Sequence, residues 1–269
     1  MSPYQIVHIK PGVIHYPGYF DVGEQVKLVT SLRSLVADAP MFTPTMPRTG
    51  KPFSVQMTNL GSLGWISDRQ GYRYQRTHPV TQLPWPPIPQ WLLDAWHEVG
   101  DYPLDPEACL VNLYATSAKM GLHQDRDEAD LEAPVVSVSL GDTGVFRVGG
   151  TARGGPTRSF HLESGDVVVL TGESRLSFHG IDRVIGKTST LLRDGGRLNL
   201  TMRRVSPRDL SRIGYSRERA AAHVAAQKKG PYLMAGRIVE TKLRIPQARL
   251  NPAARTSLIE RLTPCGSKP

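Results

Sequence analysis

At 269 residues the chain is long enough for one sizeable domain with an appendage. Two cysteines, Cys109 and Cys265, are too few for a disulfide framework and suit a reducing cytosol, so a cytoplasmic protein is expected. Met1–Phe20 lacks the continuous apolar stretch of a signal peptide, no run approaches the roughly 18 apolar residues of a membrane span, and the formal charge of +9 leaves polyanions as the natural partners.

Asp21 to Leu35 reads as a helix, with Asp21 and Glu24 as an Asp-x-x-Glu capping pair and Val26, Val29, Leu32 and Val36 at helical spacing. A Pro- and Thr-rich loop follows from Pro40 to Pro52, and residues 53–76 mix strand and turn signals with aromatics. Pro84-Trp85-Pro86-Pro87 makes a rigid entry into a second helix around Gln90–Val99, with Trp91, Ala95, Trp96 and Val99 on its core face. From Ala108 to Arg204 short strands succeed one another, punctuated by Gly149-Gly150, Gly154-Gly155, Gly165-Asp166 and Gly195-Gly196. Many strands without intervening helices predict a mainly β sandwich or jelly roll behind N-terminal helices.

The charge excess is confined to the end of the chain. Residues 206–269 carry 13 Lys+Arg against 4 Asp+Glu, and the other 20 Lys+Arg and 20 Asp+Glu cancel. A neutral body with a basic tail suits affinity for phosphate chains, although a solvated, disordered tail of no specific role has the same composition. The expected organisation is 1–106 for helices and a lid, 107–205 for the core, and 206–269 for the tail, with one short helix at 217–229.

His123-Gln124-Asp125, His179 and Arg197 carry the chemistry. Two imidazoles and one carboxylate can occupy one face of an octahedral ferrous ion, leaving three positions for a chelating co-substrate and dioxygen. A zinc site uses the same donors, but no His-Glu-x-x-His helix or Cys pair accompanies them. His161 is the least favoured alternative ligand, since it sits just before the Gly165-Asp166 turn. In Arg197-Leu198-Asn199-Leu200-Thr201-Met202-Arg203 the alternation puts Arg197, Asn199, Thr201 and Arg203 on one face of a strand, suited to the wall of a wet pocket. Histidine ligands must be neutral, so acid is expected to release the metal near their usual pKa of about 6.5.

Met57-Thr58-Asn59, Leu63-Gly64-Trp65, Arg69-Gln70-Gly71-Tyr72, Asn112-Leu113-Tyr114, Leu122-His123-Gln124-Asp125, Gly165-Asp166-Val167, Gly172-Glu173-Ser174-Arg175-Leu176 and Arg197-Leu198-Asn199 occur in this order. Over residues 20 to 204 the chain resembles the AlkB family of Fe(II)/2-oxoglutarate-dependent nucleic-acid dealkylases. The resemblance implies a double-stranded β-helix with an N-terminal nucleotide-recognition lid. It implies Fe(2+) held by His123, Asp125 and His179, with 2-oxoglutarate and O2 as co-substrates. It further implies that Arg197 grips the distal carboxylate of 2-oxoglutarate with help from Tyr114 and Asn199, that Asn112 and Arg203 face its other end, and that Ser137 faces the same cavity.

For the substrate the resemblance implies that Trp65 sandwiches a flipped base against His123. Tyr72 belongs to the lid, Asp127 reads an exocyclic amine, and Arg153 lies near the substrate. The expected activity is oxidative demethylation of 1-methyladenine and 3-methylcytosine in alkylated single-stranded DNA, extending to double-stranded DNA or RNA. Formaldehyde, succinate and CO2 are released, and the protein acts as a monomer. The rivals are a 2-oxoglutarate-dependent hydroxylase of protein or small-molecule substrates, and a non-catalytic nucleic-acid-binding module. Three features depart from the family pattern: the Pro-rich stretch 40–53, Leu170 where a tryptophan is usual in bacterial members, and the tail beyond Val205.

Overall fold

The computed structural model describes residues 4–207; the helix expected at 217–229 and most of the basic tail lie outside them. Two short strands, β1 (Val7–Lys10) and β2 (Val13–Tyr16), precede helix α1 (Val22–Asp38). β3 (Val55–Gly61), β4 (Gly64–Asp68) and β5 (Gly71–Gln75) lead to helix α2 (Gln90–Gly100). Eight more strands follow: β6 (Ala108–Tyr114), β7 (Met120–His123), β8 (Val135–Gly141), β9 (Thr143–Val148), β10 (Arg158–Leu162), β11 (Val167–Leu170), β12 (His179–Ile185) and β13 (Arg197–Arg203). The described chain is thus mainly β with two α-helices, and every strand pairing is antiparallel.

Seven strands form one sheet in the order β1-β2-β11-β8-β13-β6-β3, and four form a second in the order β10-β9-β12-β7. Val55, Met57, Leu110, Val135 and Val168 from the first sheet share one apolar cluster with Phe146, Val148, Leu162, Ile181 and Val184 from the second. The sheets therefore face each other, and burial of this cluster supplies the main driving force for their pairing. Strands β1, β2 and β3, all from before residue 107, belong to the same sheet as the strands that follow.

The capping box expected at Asp21 forms: its carboxylate accepts from the Glu24 amide, and the Glu24 carboxylate accepts from the Asp21 amide, each at 2.8 Å. The buried face of α1 differs from expectation. Gln25, Leu28, Val29, Leu32 and Val36 are buried, and Val26 is 38% exposed. The buried Gln25 amide donates to the carbonyls of Phe20 and Ser164, and accepts from the Ser164 hydroxyl. Val29, Leu32 and Val36 of the expected stripe are buried, and at its N-terminal end Gln25 takes the inward place expected for Val26. Gly165, at φ +94, completes the seat: a Cβ there would lie 2.5 Å from the Gln25 amide nitrogen.

In α2 it is Leu92, fully buried, that joins Ala95, Trp96 and Val99 in the core, while Trp91 is half-buried at the helix edge. Trp96 is buried and donates its indole N–H to the Leu104 carbonyl at 3.0 Å. Ala95 and Val99 flank it at helical spacing. Among the described residues no helix is long and apolar enough to cross a membrane.

Candidate metal and co-substrate site

Strand register assembles the metal-ligating face. His123 ends β7 and His179 opens β12, and the two are direct cross-strand partners, with ring centroids 4.6 Å apart. Asp125 lies two residues past the end of β7, with one carboxylate oxygen 3.7 Å from His123 Nε2 and the other 3.6 Å from His179 Nε2. The donor atoms of the three residues all fall within 4.8 Å of one another.

Each imidazole is oriented by its other nitrogen. His123 Nδ1 lies 2.9 Å from the Gly121 carbonyl and His179 Nδ1 2.9 Å from the Ser177 carbonyl. A carbonyl can only accept, so both rings carry their proton on Nδ1 and present a bare Nε2 lone pair toward Asp125. Phe146 stacks on His179 at 5.8 Å and 25°. One Asp125 oxygen is held by Arg203 Nη2 at 2.8 Å, whereas Oδ2 is buried with no hydrogen-bond partner. A buried anionic oxygen and two aimed imidazole lone pairs fit a divalent cation of the Fe(II) type.

Electrostatics favour the ligating forms. Burial acts to raise the Asp125 carboxyl, but Arg203, then the two histidines, hold it well below the usual carboxylate range. Burial, then the nearby His179, push the His123 imidazole down to about 4. Its side chain is still 39% exposed, so water reaches one edge of the ring. Burial and His179 both favour the neutral, ligating form of His123.

Beside the metal ligands lies a cavity of about 60 Å³ that opens to solvent. Asn112, Tyr114, Ser137, Arg197, Asn199 and Arg203 line it together with the three metal ligands. The alternation expected for β13 holds: Arg197, Asn199, Thr201 and Arg203 all face this cavity, opposite the buried Leu198, Leu200 and Met202. Asn112 and Asn199 are register partners on β6 and β13, and the Asn112 amide donates to the Asn199 carbonyl oxygen at 3.2 Å. Asn199 in turn donates to the Ser137 hydroxyl and accepts from Thr201.

Arg197 is fully buried and forms no ion pair among the described residues. Its guanidinium donates to the Leu162 carbonyl at 3.2 Å and to the Ser139 hydroxyl at 2.7 Å, and its Nε has no partner. Burial lowers its pKa to about 10, against the opposing pull of Tyr114 and Asp166. An unneutralised guanidinium at the wall of a small cavity is costly unless an anion completes it. The carboxylate of a 2-oxo diacid has the charge and the planar, two-pronged shape to do so. Gly144 makes the space: a Cβ there would sit 2.9 Å from Arg197 Nε.

Trp65, Tyr72 and Asp127 do not line this cavity and form a second cluster. Trp65 on β4 and Tyr72 on β5 are diagonal neighbours on one face of the two-stranded hairpin, stacked at 5.6 Å and 17°. Asn59 fixes the Trp65 backbone through reciprocal 3.0 Å bonds, and the indole N–H donates to Asp127 at 2.9 Å. Arg153 stands apart, exposed, with its guanidinium 4.9 Å above the Phe178 ring. His161 is exposed on β10, outside the metal-ligating set.

Sequence reasoning missed several lining groups, among them Phe146, Leu162 and Ile181, while Leu170, noted there only as a departure, also lines the cavity. It also missed the Gln124 side chain, which donates to the Thr151 and Leu176 carbonyls and ties the loop bearing Arg153 to the segment before His179. Apolar strand residues carry no local mark of whether they face a cavity or a closed core.

A sequence profile of the 2OG-Fe(II) oxygenase superfamily matches residues 12–203. The chain is similar to an alpha-ketoglutarate-dependent dioxygenase AlkB homolog of Caulobacter vibrioides, 53% identical over 196 residues, covering 73% of this chain and 89% of that protein. It is similar also to alpha-ketoglutarate-dependent dioxygenase AlkB of Escherichia coli K12, 43% identical over 194 residues, covering 71% of this chain and 88% of that one. The solved structure of OsALKBH1 superposes with a TM-score of 0.65 at 32% identity, covering 74% of this chain and all of that one. The fold and the His-Asp-His face are thus those of a dioxygenase that depends on Fe(II) and 2-oxoglutarate. The chain belongs to the 2OG-Fe(II) oxygenase superfamily and, within it, to the AlkB homologues.

Proposed function

We propose that the protein repairs DNA by demethylating 1-methyladenine and 3-methylcytosine, acting on single-stranded DNA and accepting double-stranded DNA or RNA. The observation that carries this reading is the hydrogen bond from Trp65 to Asp127, which ties an aromatic pair to the loop that also bears the metal carboxylate. A base acted on by an enzyme must leave its stack, and an aromatic face next to a carboxylate acceptor suits a flipped base with an exocyclic amine. We infer a double-stranded β-helix with the β4–β5 hairpin as part of its nucleotide lid, and a monomer as the working unit.

Fe(II) held by His123, Asp125 and His179 would, with 2-oxoglutarate and O2, supply the oxidising power, giving succinate, CO2 and an N-hydroxymethyl base whose C–N bond then breaks to release formaldehyde as the hydroxyl proton passes to the base nitrogen. The chain's own residues do the rest. Arg197 binds the distal carboxylate of 2-oxoglutarate, with Tyr114 and the Asn199 network shaping that end of the cavity. Asn112 and Arg203 border the end nearer the metal ligands, and Arg203 also fixes the Asp125 carboxylate. Trp65 and Tyr72 receive the base, Asp127 accepts from its amine, and Arg153 lies toward the strand.

The test is release of succinate and formaldehyde, coupled one to one with loss of 1-methyladenine from a single-stranded oligonucleotide. Succinate formed without loss of the methyl group would favour a 2-oxoglutarate-dependent hydroxylase of protein or small-molecule substrates instead.

A further inference from the structure

Arg175 leaves only 2% of its side chain exposed, and all three of its nitrogen groups are engaged. Nε donates to the Ala133 carbonyl at 2.7 Å, Nη1 to the Asp125 carbonyl at 2.7 Å, and Nη2 to a Glu128 carboxylate oxygen at 3.1 Å. It therefore binds the beginning, middle and end of the irregular segment that runs from β7 to β8 and carries the metal carboxylate. Glu128, 1% exposed, spends its other oxygen on the Tyr74 hydroxyl, 2.5 Å away on β5. Tyr74 is the register partner of Trp65, and its hydroxyl also accepts from Arg203 Nη1 at 3.4 Å. Arg203 then returns to the Asp125 side chain at 2.8 Å.

The neighbours of Arg175 in sequence hold the remaining pieces. The Leu176 carbonyl accepts from Gln124, and the Ser177 carbonyl orients His179. A segment without sheet structure is thus fastened at every turn to groups that meet the metal ligands.

We propose that Arg175, with Glu128 and Tyr74, is a positioning residue for the metal site: it fixes the Asp125 backbone so that the carboxylate meets the two imidazoles, and it locks that loop to the hairpin bearing Trp65. The inference rests on the metal-ligating face and not on the identity of the substrate. The residues that orient metal ligands from behind set affinity by about 10- to 100-fold when replaced.

The experiment uses the full chain and Co(II) as a spectroscopic stand-in for Fe(II), with Trp96→Phe as a control of comparable burial outside the cavity. Arg175→Gln is expected to weaken Co(II) binding by about 10- to 100-fold and to alter the visible ligand-field bands of the Co(II) complex. Arg175→Lys should lie between it and the parent, because one ammonium cannot reach three acceptors. Trp96→Phe should lower the melting temperature while leaving Co(II) affinity and spectrum unchanged. If Arg175→Gln lowers the melting temperature as the control does, with Co(II) affinity within threefold and an unaltered spectrum, Arg175 is a structural prop only and the proposal is overturned. Should the Arg175 variants fail to fold, Tyr74→Phe, which removes one hydroxyl and keeps the ring, decides the matter. Weaker Co(II) binding by threefold or more supports the proposal, and unchanged binding overturns it.

Discussion

The indole N–H of Trp65 donates to a carboxylate oxygen of Asp127 across 2.9 Å, while the flat face of the same ring rests on Tyr72. One residue of the hairpin and one residue of the metal loop therefore share a hydrogen bond. Asp127 keeps further lone pairs, including those of its other carboxylate oxygen, with which it could accept from the exocyclic amine of a base under the proposed function.

Asp127→Ala should therefore raise the KM for a 1-methyladenine oligonucleotide by about tenfold or more, in line with loss of a hydrogen bond to a charged group. Trp65→Ala should do likewise through lost stacking, worth about 1–3 kcal/mol per base. Both variants should keep the parent affinity for 2-oxoglutarate, measured by calorimetry with Mn(II) present. If 2-oxoglutarate binding falls in step with oligonucleotide binding, the two clusters are not separable and the base-reading role fails.

Arg197→Gln should abolish measurable 2-oxoglutarate binding, and Arg197→Lys should weaken it by about 100-fold, since an ammonium cannot form the two-pronged pair. Gly144→Ala offers a subtler probe: its methyl group would press on the guanidinium at 2.9 Å. A rise of about tenfold in the 2-oxoglutarate Kd is expected there, from the loss of one well-placed hydrogen bond. Retention of parent affinity in Arg197→Gln would remove this residue from the site.

How much of this could be read from the chain depends on the range of the forces involved. The alternation in β13 was legible because period two is a local property, and so was the capping box at Asp21. Most of the inward stripe of α1 was legible too, but the inward place of Gln25 was not, because it finds its partners at Phe20 and Ser164, the latter far along the chain. β1 and β2 are four residues each, too short for a periodic signal. The metal ligands were legible through spacing and resemblance, but Arg175 and Glu128 owe their meaning to contacts between loops that no local pattern encodes. The reversal between Trp91 and Leu92 has the same origin: one helix offers two adjacent apolar stripes, and only the packed sheet chooses.

The His123 imidazole gives a prediction about pH. Its folded-state pKa of about 4 lies below the usual value near 6.5. Between those values the unfolded chain takes up a proton that the native ring refuses, so stability is retained above about 6.5 and declines as the pH falls toward 4. In the metal-free protein the His123 ring resonance should titrate near pH 4 by NMR. His123→Gln should flatten part of the acid loss of melting temperature. A midpoint at 6.5 would show that water, rather than burial and His179, governs the ring.

The basic tail is tested through salt. A chain ending at Pro207 lacks the segment that holds the whole charge excess. Binding to an unmodified single-stranded oligonucleotide should then weaken, and the slope of log K against log salt should shrink by about 0.7 for each phosphate that the tail no longer neutralises. Demethylation of a short oligonucleotide at low salt should be unchanged. An identical slope in both proteins would assign the tail no part in nucleic-acid binding.

Strand β2 lies along the edge of β11, with His15 and the Gly18 amide both bonded to Asp166 at 2.8 Å, and Lys10 on β1 reaches the Gly149 carbonyl and the Ser177 hydroxyl. The pairing of β2 with β11 therefore joins segments about 150 residues apart, a non-local contact that forms only after the intervening chain is made. Until β11 emerges, the opening hairpin has no edge to join, and a β11 that lost it would offer an unpaired ladder to any passing strand. Removing β1 and β2 would bare a sticky edge of the larger sheet.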